Sequence, residues 1–562
     1  MMERIRKFIV EHEYIVVLFF VVVFVLVRLP GRSLPLHQDE YKWPGVEDLS
    51  LAGHIPHPPL GELIYHYGGL LVGFNVNFRL IPFFFGAINL LLLYYLMRFV
   101  FGRKEAVIAS LIWIFSYFSV LASLMVDTDG EIMPFFFLLG LIGYYKIKNS
   151  TDRKNIGWWV LMLLGLLLGI LVKMSFILAV GAIVADFLWS KKNLITKKDL
   201  LKYFGYTLVV VSSFVLLLLI SKYFFPFFDL SKSVSYWEHF IVWNRGWFQT
   251  FIQCVKAILY SSPFLVLTPF LAKKNSFSKV KVFIFFLIFA FIFYIILFDF
   301  SIGALDRYLQ LLVLPLTVLS ATVISEITKI ENRRTKEFLF AGIIIGLILV
   351  LIQSLPHYVP PLHPKSEWIS RILSLRWNFV YPFSGGSGPL GFYVSFMFMA
   401  LAWILSIVTV ILLLFKTETK KLALFFIIPI GIAYNGAFIE EYFLGYFNGH
   451  AATLVYHAAE FIKNTPEISK VTVYNDNGAE EIKTTGKYRR RLYTDPAFIG
   501  KEKVDYLNTY KEFYFVLNVP RIDPTSIYQK YFDSCKVMYN EVDKKMSATI
   551  YDCRKATDVK LD

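Results

Sequence analysis

Residues 36–63, LHQDEYKWPGVEDLSLAGHIPHPPLGEL, follow the first apolar segment directly and hold a dense set of groups able to do chemistry. The adjacent carboxylates Asp39 and Glu40 can take up or hand over a proton. His37, His54, His57 and the nearby His66 add imidazoles, next to a rigid His57-Pro58-Pro59. A loop that only joins two hydrophobic spans needs no acidic pair, and a transporter more often keeps its charges near the bilayer midplane. The plainer readings are a solvated acidic pair, and prolines that stiffen the entry into an interfacial helix over 60–74. No spacing among His37, Asp39, His54, His57 and His66 is a metal signature, so no metal and no other cofactor is expected.

These groups must be positioned by membrane helices. Hydrophobic residues make up 56% of the 562 and mean hydropathy is +0.56, more apolar surface than a soluble fold can bury. The net charge of +15 does not indicate nucleic acid, because Lys and Arg fall mostly in short loops between apolar runs. The start, MMERIRKF, is basic and no small-residue cleavage site precedes Arg28, so the first apolar stretch reads as a retained helix. Further runs fall near 78–100, 106–125, 131–146, 156–172, 174–189, 204–225, 251–271, 282–299, 308–325, 337–355, 391–415 and 421–439. The expected architecture is an α-helical polytopic membrane protein of about 13 transmembrane helices.

Basic loops alternate with basic-poor ones. Arg103-Lys104, 146–154, 191–202, 273–281, 329–336 and 416–421 share the side of the N-terminus, which the positive-inside rule makes cytoplasmic. The first loop, 125–130, 225–250, 299–307, 356–391 and everything after about residue 445 then lie outside, and the cell membrane is the expected location. From residue 446 the chain becomes polar, with alternating runs VTVYND, EFYFVLNV, CKVMYN and ATIYDC that read as strands. Helices are expected over 451–463 and 524–532. The chain therefore divides into a transmembrane domain, 1–445, and a small extracytoplasmic α/β domain, 446–562. Of three cysteines, Cys535 and Cys553 can pair if this domain faces an oxidising compartment.

With this topology the first outer loop resembles that of the GT-C membrane glycosyltransferases, family 39 in particular. Asp39-Glu40 matches the Asp-Glu of the protein O-mannosyltransferases, His57-Pro58-Pro59-Leu60-Gly61 matches their HPPLGK element, and Arg79 matches an Arg entering the second span. MVDTDGEIMPFFFLL at 125, with Asp127 and Asp129, is similar to the second outer loop, and Lys173 to an LxK turn between two helices. DRYLQLLVLP at 306, with Arg307 and Tyr308, is similar to a span that recurs in the superfamily, and the helix count with an outer domain is similar to the aminoarabinose transferases. The chain departs in having Ile55 where that family has Asp and Glu62 where it has Lys, and it has no room for a β-trefoil domain after residue 225.

The resemblance implies a GT-C fold and an enzyme that transfers a sugar from a polyprenyl-phosphate donor to a lipid, glycan or protein acceptor outside the membrane. Such a donor leaves as a phosphate anion, so a base is needed on one side of the anomeric carbon and cations on the other. Asp39, Glu40 and Asp129 are the catalytic candidates, Asp39 as base with Glu40 orienting the loop. His57, Arg79, Asp127, Lys173, Arg307 and Tyr308 are the substrate-binding candidates. Direct displacement inverts the anomeric configuration. The plainer readings remain beside these: Asp127 and Asp129 as helix caps, and the three cations as snorkelling anchors. The alternative function is a transporter or flippase for a lipid-linked saccharide, which would show broken helices and charge at mid-span.

Overall fold

The first span, Glu13–Arg28, leaves Leu18, Phe19, Val22 and Leu26 exposed on one face while Phe20, Phe24 and Arg28 are buried on another. A helix cannot present such a face to water, and lipid is the solvent that accepts it. In the computed structural model this pattern recurs along the chain. The structure describes residues 12–37, 40, 43–49, 57–149, 156–191, 197–241, 246–273, 278–297, 309–361, 365–383, 390–474, 478–492 and 501–560.

Among the described residues six helical segments are long and apolar enough to cross a membrane: Glu13–Ser33, Asn77–Val100, Gln310–Ile327, Thr335–Ser354, Phe396–Leu413 and Thr417–Phe443. Shorter apolar helices occupy Ile156–Val172, Met174–Ser190, Val215–Phe224 and Lys281–Leu297. The stretch expected as one span over 251–271 is a pair of segments, Trp247–Tyr260 and Pro263–Leu271, bent by 106°. Pro263 forces the residue before it out of the helical region, and Ser262 (φ −70°, ψ 147°) instead caps the second segment by accepting from the Leu265 N–H at 3.3 Å. The stretch over 106–125 also divides, into Arg103–Phe115 and Tyr117–Ala122, at extended Ser116.

The chain forms two compact units. The first comprises Met1–Arg32, Lys42–Lys336 and Val410–Phe425. It contains the helix Pro59–Val72, close to the interfacial helix expected over 60–74, and the helix Leu230–Phe240.

The second comprises Ser33–Tyr41, Glu337–Thr409 and Phe426–Asp562. It holds a hairpin of β1 (Val380–Phe383) and β2 (Phe392–Ser395), so the apolar run expected as a span from 391 begins as a strand. It also holds a five-stranded sheet in the order β4-β3-β5-β7-β6. The strands are β3 (Val471–Tyr474), β4 (Tyr488–Leu492), β5 (Phe513–Leu517), β6 (Lys536–Asp543) and β7 (Met546–Asp552). β3 runs parallel to β4 and β5, while β7 is antiparallel to β5 and β6. Helices Ala451–Asn464 and Ile527–Asp533 stand close to where they are expected. Tyr474, Tyr514, Tyr528, Tyr531 and Phe532 fill one side of the sheet, where Cys535 and Cys553 form a disulfide.

Candidate functional site

The helix Pro59–Val72 starts where its sequence requires. Pro58 is extended (φ −58°, ψ 157°), and Pro59 takes the first helical position, where a missing N–H costs nothing. Its buried residues, Pro59, Gly61, Glu62, Tyr65 and Gly69, share one stripe. Trp43 packs its ring 4.2 Å from that of Tyr65, and Phe78 stacks on Tyr65 at 5.7 Å. Tyr65 donates its hydroxyl to the Asp127 carbonyl at 2.8 Å. A side chain at Gly61 would place its Cβ 3.1 Å from Thr128 Cγ2 and 3.4 Å from the Val172 carbonyl oxygen. Glycine here lets the helix behind His57-Pro58-Pro59 approach both the second outer loop and the turn that presents Lys173.

The loop expected as the second outer one is buried throughout its polar run, Asp127, Thr128, Asp129 and Glu131. Asp129 Oδ2 accepts from the Lys173 ammonium at 2.5 Å. Lys173 adopts an extended backbone (φ −158°, ψ 136°) between the helices Ile156–Val172 and Ile177–Lys191, which turns its side chain inward. Asp127 Oδ1 accepts from the Thr128 N–H at 2.6 Å. Arg79, only 2% exposed, donates from Nη1 to the Leu124 carbonyl at 2.6 Å. His57 is buried at the entry to the helix Pro59–Val72. Gln310, four residues past the Asp306 that opens the DRYLQ motif, donates to Met125 Sδ at 3.4 Å and lies beside Gly130.

A second set of buried polar groups, absent from the sequence-based candidates, anchors this loop. Arg28, at the end of the first span, donates to Ser123 Oγ at 2.6 Å, Ser119 Oγ at 3.1 Å and the Trp113 and Ile114 carbonyls at 3.2 and 3.1 Å. Glu131 Oε2 accepts from Asn89 at 2.7 Å. Its Oε1 faces Gly86, where a Cβ would approach it to 3.1 Å. Buried polar groups inside an apolar bundle are costly unless satisfied, and these fix the start and the end of the loop that carries Asp127 and Asp129.

Within the second unit, Glu40 is buried and its Oε2 accepts from the His37 N–H at 2.9 Å, so its carboxylate ties the loop back on itself. Asp39, Arg307 and Tyr308 lie outside the described residues, as does His54. Among the described residues no cluster of three or more His, Cys, Asp or Glu side chains is arranged to hold a metal ion.

Residues 56–220 match the model of the dolichyl-phosphate-mannose-protein mannosyltransferase family. The fold is similar to crystal structures of ArnT from Cupriavidus metallidurans. The apo form superposes with a TM-score of 0.56 at 14% identity, over 95% of this chain and 97% of that chain. The form bound to undecaprenyl phosphate gives 0.56 at 16% identity, over 96% and 98%. Residues 56–220 thus resemble that mannosyltransferase family, and the chain as a whole shares the fold of ArnT. No curated protein sequence matches it significantly. The matched region begins at Pro56, immediately before His57, and contains Arg79, Asp127, Asp129 and Lys173. Of its sequence-based candidates, the structure thus joins Asp129 to Lys173 and sets Asp127 beside the helix that follows His57. Asn89 was missed because a lone polar residue inside an apolar run has no periodic signal, and Arg28, Glu62 and Glu131 because charges at the edges of apolar runs are ordinary in a membrane protein. Only their burial marks them.

Proposed function

We propose that this protein is a glycosyltransferase that moves a sugar from a polyprenyl-phosphate carrier to an acceptor on the outer side of the cell membrane, by a single inverting displacement. The observation that carries the reading is the buried Asp129–Lys173 pair, set beside the helix that follows His57-Pro58-Pro59. An ammonium held by a buried carboxylate is a preformed point charge, and a phosphate arriving next to it needs no reorganisation of the protein. Arg79 and Arg307 supply the remaining positive charge. Undecaprenyl phosphate bound to the structurally similar ArnT supports a lipid phosphate as the carrier.

In the step itself, Asp39 takes the proton of an acceptor hydroxyl as its oxygen attacks the anomeric carbon. The bond from that carbon to the carrier phosphate breaks, and the polyprenyl phosphate departs toward Arg79, Lys173 and Arg307. Asp39 and Asp129 thus divide the work: one carboxylate receives the proton, the other holds the cation. Glu40, bonded to the His37 N–H, keeps the Asp39 loop in shape. His57, Asp127 and Tyr308 line the sugar.

The N-terminus is assigned to the cytoplasm, and 1–445 and 446–562 are taken as the transmembrane and outer domains. The Cys535–Cys553 disulfide supports an extracytoplasmic position for the second, since such bonds persist in oxidising compartments. Reconstituted into vesicles with a polyprenyl-phosphate monosaccharide, the protein is expected to release free polyprenyl phosphate only when an acceptor is present. Movement of the intact lipid-linked sugar across the bilayer without release would favour a flippase instead.

A further inference from the structure

Glu62 is the only acidic residue of the helix Pro59–Val72 and stands on its buried stripe, 2% exposed. Its Oε1 has no hydrogen-bond partner among the described residues. The residues around it belong to the site already described: Gly61 lies against Thr128 and the carbonyl before Lys173, and Tyr65, one turn on, bonds to Asp127. Packing alone would be better served here by Leu or Met, because a buried oxygen without a partner has lost its water and gained nothing in return.

We propose that Glu62 is a specificity-determining residue of the transfer reaction, its free carboxyl oxygen reserved for a hydroxyl group of the transferred sugar. This rests on the glycosyltransfer reading given above. Burial pushes the Glu62 carboxyl up to about 8, against the opposing pull of Lys232, so at neutral pH it mostly carries its proton. A neutral acid offers one donor and one acceptor, which is what a sugar hydroxyl offers in return. A phosphate, already served by Lys173 and Arg79, has no use for it.

The test compares Glu62→Leu and Glu62→Gln with wild type, using dolichyl-phosphate mannose and its monodeoxy analogues as donors, with thermal unfolding in detergent measured alongside. Glu62→Leu is expected to unfold at a higher temperature than wild type yet lose roughly 10- to 100-fold in kcat/KM for the fully hydroxylated donor. It should lose little against the one deoxy analogue that lacks the contacted hydroxyl, which wild type already uses poorly. Glu62→Gln keeps the shape and a donor and acceptor, so it should recover most of the transfer even if Glu62→Leu folds badly. Equal transfer by wild type and Glu62→Leu, or a uniform loss across all analogues, would overturn the Glu62 assignment and leave the glycosyltransfer reading standing. Wild type that transfers from no polyprenyl-phosphate sugar would overturn that reading and this proposal with it.

Discussion

Replacing Lys173 by Met would leave the Asp129 carboxylate fully buried and without the ammonium now 2.5 Å from its Oδ2. At an effective dielectric constant of ~20 two unit charges at that distance attract by roughly 7 kcal/mol, and the desolvation of both ions offsets much of this. The asymmetry decides the outcome, since removing either partner takes the ion pair from a buried charge. Lys173→Met and Asp129→Leu should therefore each lower the unfolding free energy by ~3–5 kcal/mol. The double variant removes both charges, and should be less damaged than the two single losses added together by ~2 kcal/mol or more. Equilibrium unfolding of the four proteins in one detergent measures this directly. If the two losses add to within ~0.5 kcal/mol, the pair is not an energetic unit, and the preformed cation that the proposed mechanism uses is absent.

Arg79→Ala should weaken binding of a polyprenyl-phosphate donor by ~1.5–3 kcal/mol, read by titration calorimetry in detergent, because a charge-assisted contact is lost. Glu62 gives stability a pH dependence: its folded carboxyl near 8 lies above the ordinary 4.5, so the folded state holds the proton more tightly. That stabilising contribution is complete below about 4.5 and fades as pH rises toward about 8, by at most ~1.4 kcal/mol per pH unit. Glu62→Gln should flatten the slope in unfolding experiments across that window. Cys535→Ser opens a loop closed across 18 residues, and should destabilise the C-terminal sheet by roughly 3 kcal/mol in unfolding while transfer at low temperature is unchanged.

The helices were legible wherever an apolar run was long and ended in charge, as at Ile156–Val172, which begins and ends where its residues say. Breaks inside such runs were not. Ser262-Pro263 and Ser116 interrupt continuous hydrophobicity, and β2, Phe392–Ser395, passes into the helix Phe396–Leu413 at Ser395, whose hydroxyl accepts from the Phe398 N–H at 3.3 Å but is a single small polar group in an apolar run. In the C-terminal sheet the alternating strands were found, but β4, YRRRL, was hidden because three successive arginines erase the alternation that reveals a half-buried strand. The pairing of Asp129 with Lys173 was not legible, because nothing in the spacing of two residues 44 apart states that they meet. The same holds for the bond from Glu40 to the His37 N–H, which only the turn of the loop creates.

The most direct test of the central claim is the rate of transfer by Asp39→Asn at saturating polyprenyl-phosphate sugar. The change keeps size and hydrogen bonding and removes basicity, so transfer should fall by at least ~10²-fold while donor affinity stays close to wild type. Near wild-type transfer by Asp39→Asn, together with its loss in Asp129→Asn, would contradict the account and place the base in the second outer loop.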